Sequence, residues 1–166
     1  MTMDGYDFVL LLLRGWAGVV MIAHGINHYR NLEGTANWFA KVGFRAPKLN
    51  ARLSAYNEMA IGLGLIAGLL TPVAAAGLAA TMLVAFWAIH RYAGFFVFHR
   101  PDEGYEYVAT MAVVALAIAV FGPGSISIDA LIGLDWSGWT GLWIYLAGLA
   151  AGVGQLMVFY RRPRDK

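Results

Sequence analysis

Seven polar side chains set within otherwise apolar sequence are the candidates for chemistry: Arg14, His24, His28, Asn57, Glu58, His90 and Glu106. An ionisable group surrounded by hydrocarbon is costly, so each needs either a partner or a task. Imidazole and carboxyl groups move protons near neutral pH when their surroundings shift them, which suits a pocket that holds a polar headgroup and handles protons. His24 and His28 lie one helical turn apart. Either of them with His90 would give the paired imidazoles of a haem or metal site. That chemistry is disfavoured, because no third strong ligand and no Cys-x-x-Cys-His signature accompanies them. The chain has no cysteine, which removes thiolate metal sites, dithiol exchange and disulfides. No cofactor is demonstrable from the residues, and no catalytic residue is assigned.

These side chains must be positioned by membrane-spanning helices. The sequence is 60% hydrophobic and 13% charged, with a mean hydropathy of +0.61, far from the roughly one-quarter charged residues of a soluble domain. Five apolar segments, 6–29, 51–70, 73–92, 105–121 and 139–160, are long enough to cross a hydrocarbon core of about 30 Å. They are continuous and rich in Leu, Ala and Gly, without the alternation of a barrel wall. An all-α integral membrane bundle of one domain, residues 1–166, is therefore expected. Breakers separate the spans: Thr71-Pro72, Arg100-Pro101-Asp102 and Gly122-Pro123-Gly124. The 30–50 connection repeats apolar residues at near-helical spacing and predicts an interfacial helix, and a second such segment is expected at Ile126 to Leu134. The acidic N-terminus and Arg14 argue against a cleaved signal peptide, so the first span is expected to be retained.

Eleven of the twelve Lys and Arg residues fall at one end of a five-span bundle: five from Arg30 to Arg52, then Arg91 and Arg100, then four from Arg161 to Lys166. Asp4, Asp7, Asp129 and Asp135 fall at the other end. The bias of basic residues toward the cytoplasm predicts an N-terminus outside and a C-terminus inside a bacterial cytoplasmic membrane. It also brings Asn27 and the polar candidates other than Arg14 into one layer near the basic end, and expects His99 to be solvated in its loop. Net charge is +2, and the basic residues form no continuous face, so nucleic acid is not a partner. Arg14 and Glu58 are expected to pair, the long Arg side chain reaching inward. Gly64/Gly68 and Gly148/Gly152 are read as close-packing positions within the bundle rather than as a face for a homo-oligomer.

The motifs LLLRGWAGVVMIAHGINH, GTANWFAKVGF, NEMAIGLGLIAGLLTP, AIHRYAGFF and EYVATMAVVALAIAVFGPGSISID occur in that order. Together, over about Phe8 to Asp129, the chain resembles the DoxX family of small bacterial membrane proteins. Arg14, His24, Gly25, Glu58, His90 and Glu106 are the positions that carry the resemblance. It implies a four-helix bundle and an association with quinol-linked oxidases, thiosulfate:quinone oxidoreductases and assemblies that defend against oxidative stress. The fifth span and the basic first connection depart from that pattern. The resulting expectation is an accessory subunit of a quinone-linked oxidoreductase assembly, not catalytic alone, with a quinone or lipid headgroup in the polar layer and other subunits as partners. A membrane scaffold whose charged pair serves folding is the alternative. A permease ranks behind both, since inverted repeats and broken helices are not evident.

Overall fold

The computed structural model describes residues 4–98 and 103–162. The expectations for His99, for the Arg100-Pro101-Asp102 break and for the basic tail from residue 163 lie outside the described residues. Among the described residues the chain is helical, without strands. The elements are α1 (Gly5–Arg30), α2 (Leu32–Val42), α3 (Pro47–Ala67), α4 (Thr71–Ala88), a 3-10 turn (His90–Tyr92), α5 (Glu106–Phe121), α6 (Ile128–Leu131) and α7 (Gly138–Phe159).

Local chemistry sets these boundaries. The Asp4 carboxylate accepts from the Asp7 N–H at 2.8 Å and starts α1. Asn31 ends α1, and its side-chain oxygen accepts from the Gly34 N–H at 2.9 Å, so one residue turns the chain from α1 into α2. Gly43, at φ 112, stops α2 where a side chain would be strained. Pro47 opens α3, which begins four residues before the expected span, and Glu58 consequently lies about three turns inside the helix rather than two. The third span also ends early: α4 stops at Ala88, and His90 sits in the turn beyond it.

α1 and α3 cross with their backbones in contact. A Cβ on Gly18 would lie 2.7 Å from the Gly62 carbonyl oxygen, and one on Gly62 would lie 2.5 Å from that of Gly18. α7 lies on α4, where Gly148 faces Ala76 and Gly152 faces Ala80. The expected packing role thus holds for Gly148/Gly152. Gly68 is different: it caps α3 in the left-handed conformation at φ 63, beneath Ser127 and Arg14. Between these helix pairs α4 and α5 complete a core of Met21, Leu65, Leu78, Ala79, Ala115 and Ile118.

α1, α4 and α7 are long and apolar enough to cross a membrane, and α5 is a shorter apolar helix. α3 carries Lys48, Arg52 and Glu58, yet its 21 residues run beside α1 for a length of about 31 Å. Large apolar side chains point outward from the middle of the bundle, including Trp16, Leu63 and Val113, as lipid contact requires. The protein is a multi-pass membrane protein.

The two ends are built differently. At the basic end α2 buries Ala36 and Phe39 against Phe44, Ala51, Ala88 and Tyr160, as an amphipathic helix lying across the bundle would. The tail closes this end: the Arg45 N–H donates to the Phe159 carbonyl at 2.6 Å and the Arg161 N–H to that of Gly43 at 2.9 Å. The first connection and the end of α7 therefore share one end of the bundle. At the acidic end the 122–134 connection, containing the short α6, folds over α1, α3 and α4. Asp7 accepts from the Ser125 N–H at 2.7 Å and from its hydroxyl.

Candidate functional site

The Arg14 and Glu58 side chains face different surroundings. Arg14, only 1% exposed, donates from Nε to the Pro123 carbonyl at 3.1 Å, and from Nη1 to those of Leu65 at 3.0 Å and Ile66 at 2.7 Å. Its Nη2 donates to the Ile126 carbonyl. The planar five-donor guanidinium thus joins the end of α3 to the acidic-end connection. Asp129, the acid acting electrostatically on Arg14, accepts instead from the Leu70 N–H at 2.7 Å and the Thr71 N–H at 2.8 Å, capping α4. The expected Arg14–Glu58 pair is not made. Backbone carbonyls at the C-terminal end of α3 lie within reach of Arg14, whereas Glu58 lies about two turns away along α3. Arg14 holds the fold and takes no part in the polar cluster.

Glu58 is 4% exposed. One carboxylate oxygen, Oε1, accepts from the Ser54 hydroxyl one turn earlier, and stands 3.7 Å from His28 Nε2. The other, Oε2, is buried without a hydrogen-bond partner. Glu58 borders a cavity of about 380 Å³ lined by His24 and His28 from α1, Trp38 from α2, Thr81 from α4, Tyr107 from α5, and His90 with Glu103 beyond α4. The Tyr107 hydroxyl is a second buried polar atom without a partner. The walls are ordered by stacking: His24 lies against Tyr107 at 6.1 Å between ring centres, and His28 against Trp38 at 6.5 Å. His90 Nδ1 is 2.7 Å from the Glu103 carbonyl oxygen, which fixes that ring.

The structure therefore gathers His24, His28, Glu58 and His90 around one space. Asn57 faces a neighbouring cavity of about 200 Å³ with Ser54 and Gln155, and Glu58 and Thr81 form the wall between the two. Glu106 stands outside the cavity lining, correcting its expected place in the cluster: its Oε2 accepts from the Val97 N–H at 3.2 Å and braces the loop before α5. Being the first residue of α5, it is rotated about 100° from Tyr107, the residue that does face the cavity. Tyr107, Trp38, Ser54 and Glu103 were missed. Ser54 had a readable signal, lying four residues before Glu58; Trp38 and Glu103 come from connections whose return to the bundle is a tertiary property.

Among the described residues no three His, Asp or Glu side chains form a metal-ligating group. An unpartnered carboxylate oxygen and an unpartnered phenol between stacked rings can instead hold a flat or amphipathic molecule whose polar head donates to one and exchanges hydrogen bonds with the other.

Comparison with known proteins adds two similarities. A family profile described as DoxX matches residues 9–91. A Haemophilus influenzae protein described as uncharacterized is 28% identical over 136 residues, covering 77% of this chain and 85% of that one. No solved structure matches the chain.

Proposed function

The chain belongs to the DoxX family, and from that premise we propose that it is an accessory subunit of a membrane-bound, quinone-linked oxidoreductase or oxidative-stress assembly, with the Glu58 cavity receiving a quinone or lipid headgroup. The observation that carries this reading is buried Glu58 in the wall of the cavity with one carboxylate oxygen, Oε2, unpartnered. A buried polar atom without a partner costs about 1–3 kcal/mol, a cost that a bound hydroxyl or protonated headgroup removes. The basic end, where Arg30, Lys41, Arg45, Lys48 and Arg52 gather with Arg91 and Arg161, faces the cytoplasm in this reading, which puts the cavity in the inner half of a bacterial cytoplasmic membrane. Redox character comes from family membership, and partner subunits would supply any electron-transfer centre.

Native protein purified in mild detergent and extracted for lipids and quinones tests the proposal. A stoichiometric quinone, or one lipid class retained through purification, is expected, and Glu58→Gln should lower its occupancy at least about tenfold. Protein that carries neither, and that purifies without any partner subunit, would overturn it.

A further inference from the structure

Glu58 has a neighbour that reaches water. His28 lines the Glu58 cavity, and the same residue lines a more open cleft of about 340 Å³ at the basic end, together with Asn27, Asn31, Thr35 and Trp38. Its ring stacks on that of Trp38, which lines both spaces too, at 6.5 Å with an interplanar angle of 27°. Trp38 is positioned in turn by α2, which is tied to the end of α1 where the Thr35 hydroxyl donates to the His28 carbonyl at 3.2 Å.

We propose that His28 is the proton-transfer side chain between buried Glu58 and water at the basic end of the bundle. The 3.7 Å from Nε2 to Oε1 exceeds a direct hydrogen bond, and one bridging water or a small side-chain rotation closes it. In the outward step the Glu58 O–H bond breaks and an N–H bond forms at Nε2. The Nδ1–H bond then breaks toward water in the cleft, and a ring flip or tautomer exchange resets the imidazole. No oxidant is needed, and the charge lost at His28 appears on the released proton. The other ionisable groups facing this space are His24 from α1, Tyr107 from α5, His90 from the 3-10 turn and Glu103 before α5. α4 and α2 contribute only Thr81 and Trp38 to it among hydrogen-bonding side chains. Of the ionisable groups, His28 alone also borders the open cleft.

The route goes beyond the quinone reading and does not depend on what fills the cavity. The full chain in lipid nanodiscs is followed by infrared spectroscopy, with the Glu58 carboxyl band assigned by its loss in Glu58→Gln. After a pH jump, His28→Ala should slow the Glu58 protonation change at least about tenfold, and imidazole added to the bath should restore it by entering the space left beside the cleft. Glu106→Gln, outside the cavity, should keep the rate of the unsubstituted protein. If His28→Ala does not fold, His28→Gln fills the same space against Trp38 without a titratable ring and should be equally slow. An unchanged rate in either His28 variant, or slowing that imidazole leaves untouched in His28→Ala, would overturn the proposal. Quinone occupancy measured on the same samples is a separate readout: its absence beside His28-dependent exchange would remove the quinone reading and leave the route standing.

Discussion

Arg14 and Asp129, each 1% exposed and of opposite charge, share the acidic end of the bundle and satisfy their charges through the backbone rather than through each other. Arg14 gathers carbonyl oxygens and Asp129 gathers amide hydrogens, so each offsets the partial charges of a helix end. A fold determinant of this kind makes sharp demands on the side chain.

Arg14→Leu leaves the carbonyls of Leu65, Ile66, Pro123 and Ile126 without their donors. A loss of about 3 kcal/mol or more is expected, read as a lowered unfolding midpoint in detergent. Arg14→Lys keeps the charge but not the planar fork, and should fall between the two.

Asp129→Ala removes both acceptors at the start of α4 and should cost about 2 kcal/mol, whereas Asp129→Asn, which keeps one acceptor, should cost about half as much. Thermal unfolding followed by circular dichroism ranks the two. Equal effects would mean that charge, not hydrogen bonding, fixes the cap.

At the crossing of α1 and α3, Gly62→Ala drives a Cβ to 2.5 Å from a backbone oxygen and should destabilise by about 1–3 kcal/mol. Gly15→Ala, with open space around it, is the control and should be neutral or slightly stabilising. The pair, compared by thermal melting, separates close approach from helix propensity.

Glu106→Ala should loosen the loop around Val97 and speed its proteolysis while leaving ligand occupancy at the Glu58 cavity unchanged. Loss of occupancy in this variant would return Glu106 to the site.

Asp135 supplies the pH test. The Ser137 hydroxyl and N–H hold its carboxyl below the usual carboxylate range, the N–H at 3.0 Å. The folded value is depressed, so its contribution to the start of α7 is present above the ordinary carboxylate pKa and fades as pH falls through the folded one. Ser137→Ala should move the carbon-13 titration of the Asp135 carboxyl upward.

The long helices were legible because each carries an extended apolar run ended by Gly, Pro or charge, though the polar first turns of α3 hid its start, and α2 because its apolar residues recur at helical spacing. Depth was legible too: His24, His28, Glu58 and His90 do meet, since alternating helix direction places them at similar heights. Azimuth was not. Whether Glu106 or Tyr107 faces the cavity depends on a rotation of one residue, and two of Arg14's four partners, Pro123 and Ile126, lie more than a hundred positions away. Charge complementarity favoured Glu58 for Arg14, but backbone carbonyls at a helix end are acceptors that composition does not display.

The bond pair that ties Arg45 to Phe159 and Arg161 to Gly43 makes the end of the chain part of its beginning. Opening α7 from the bundle must break the support of the α2–α3 connection as well, so the Arg45 and Arg161 amides should exchange with deuterium as one cooperative unit, faster than those of Leu65 or Ile118 in the interior. The last helix is in that sense the latch of the first connection, and shortening the chain to four helices would leave the cavity's α2 wall ajar.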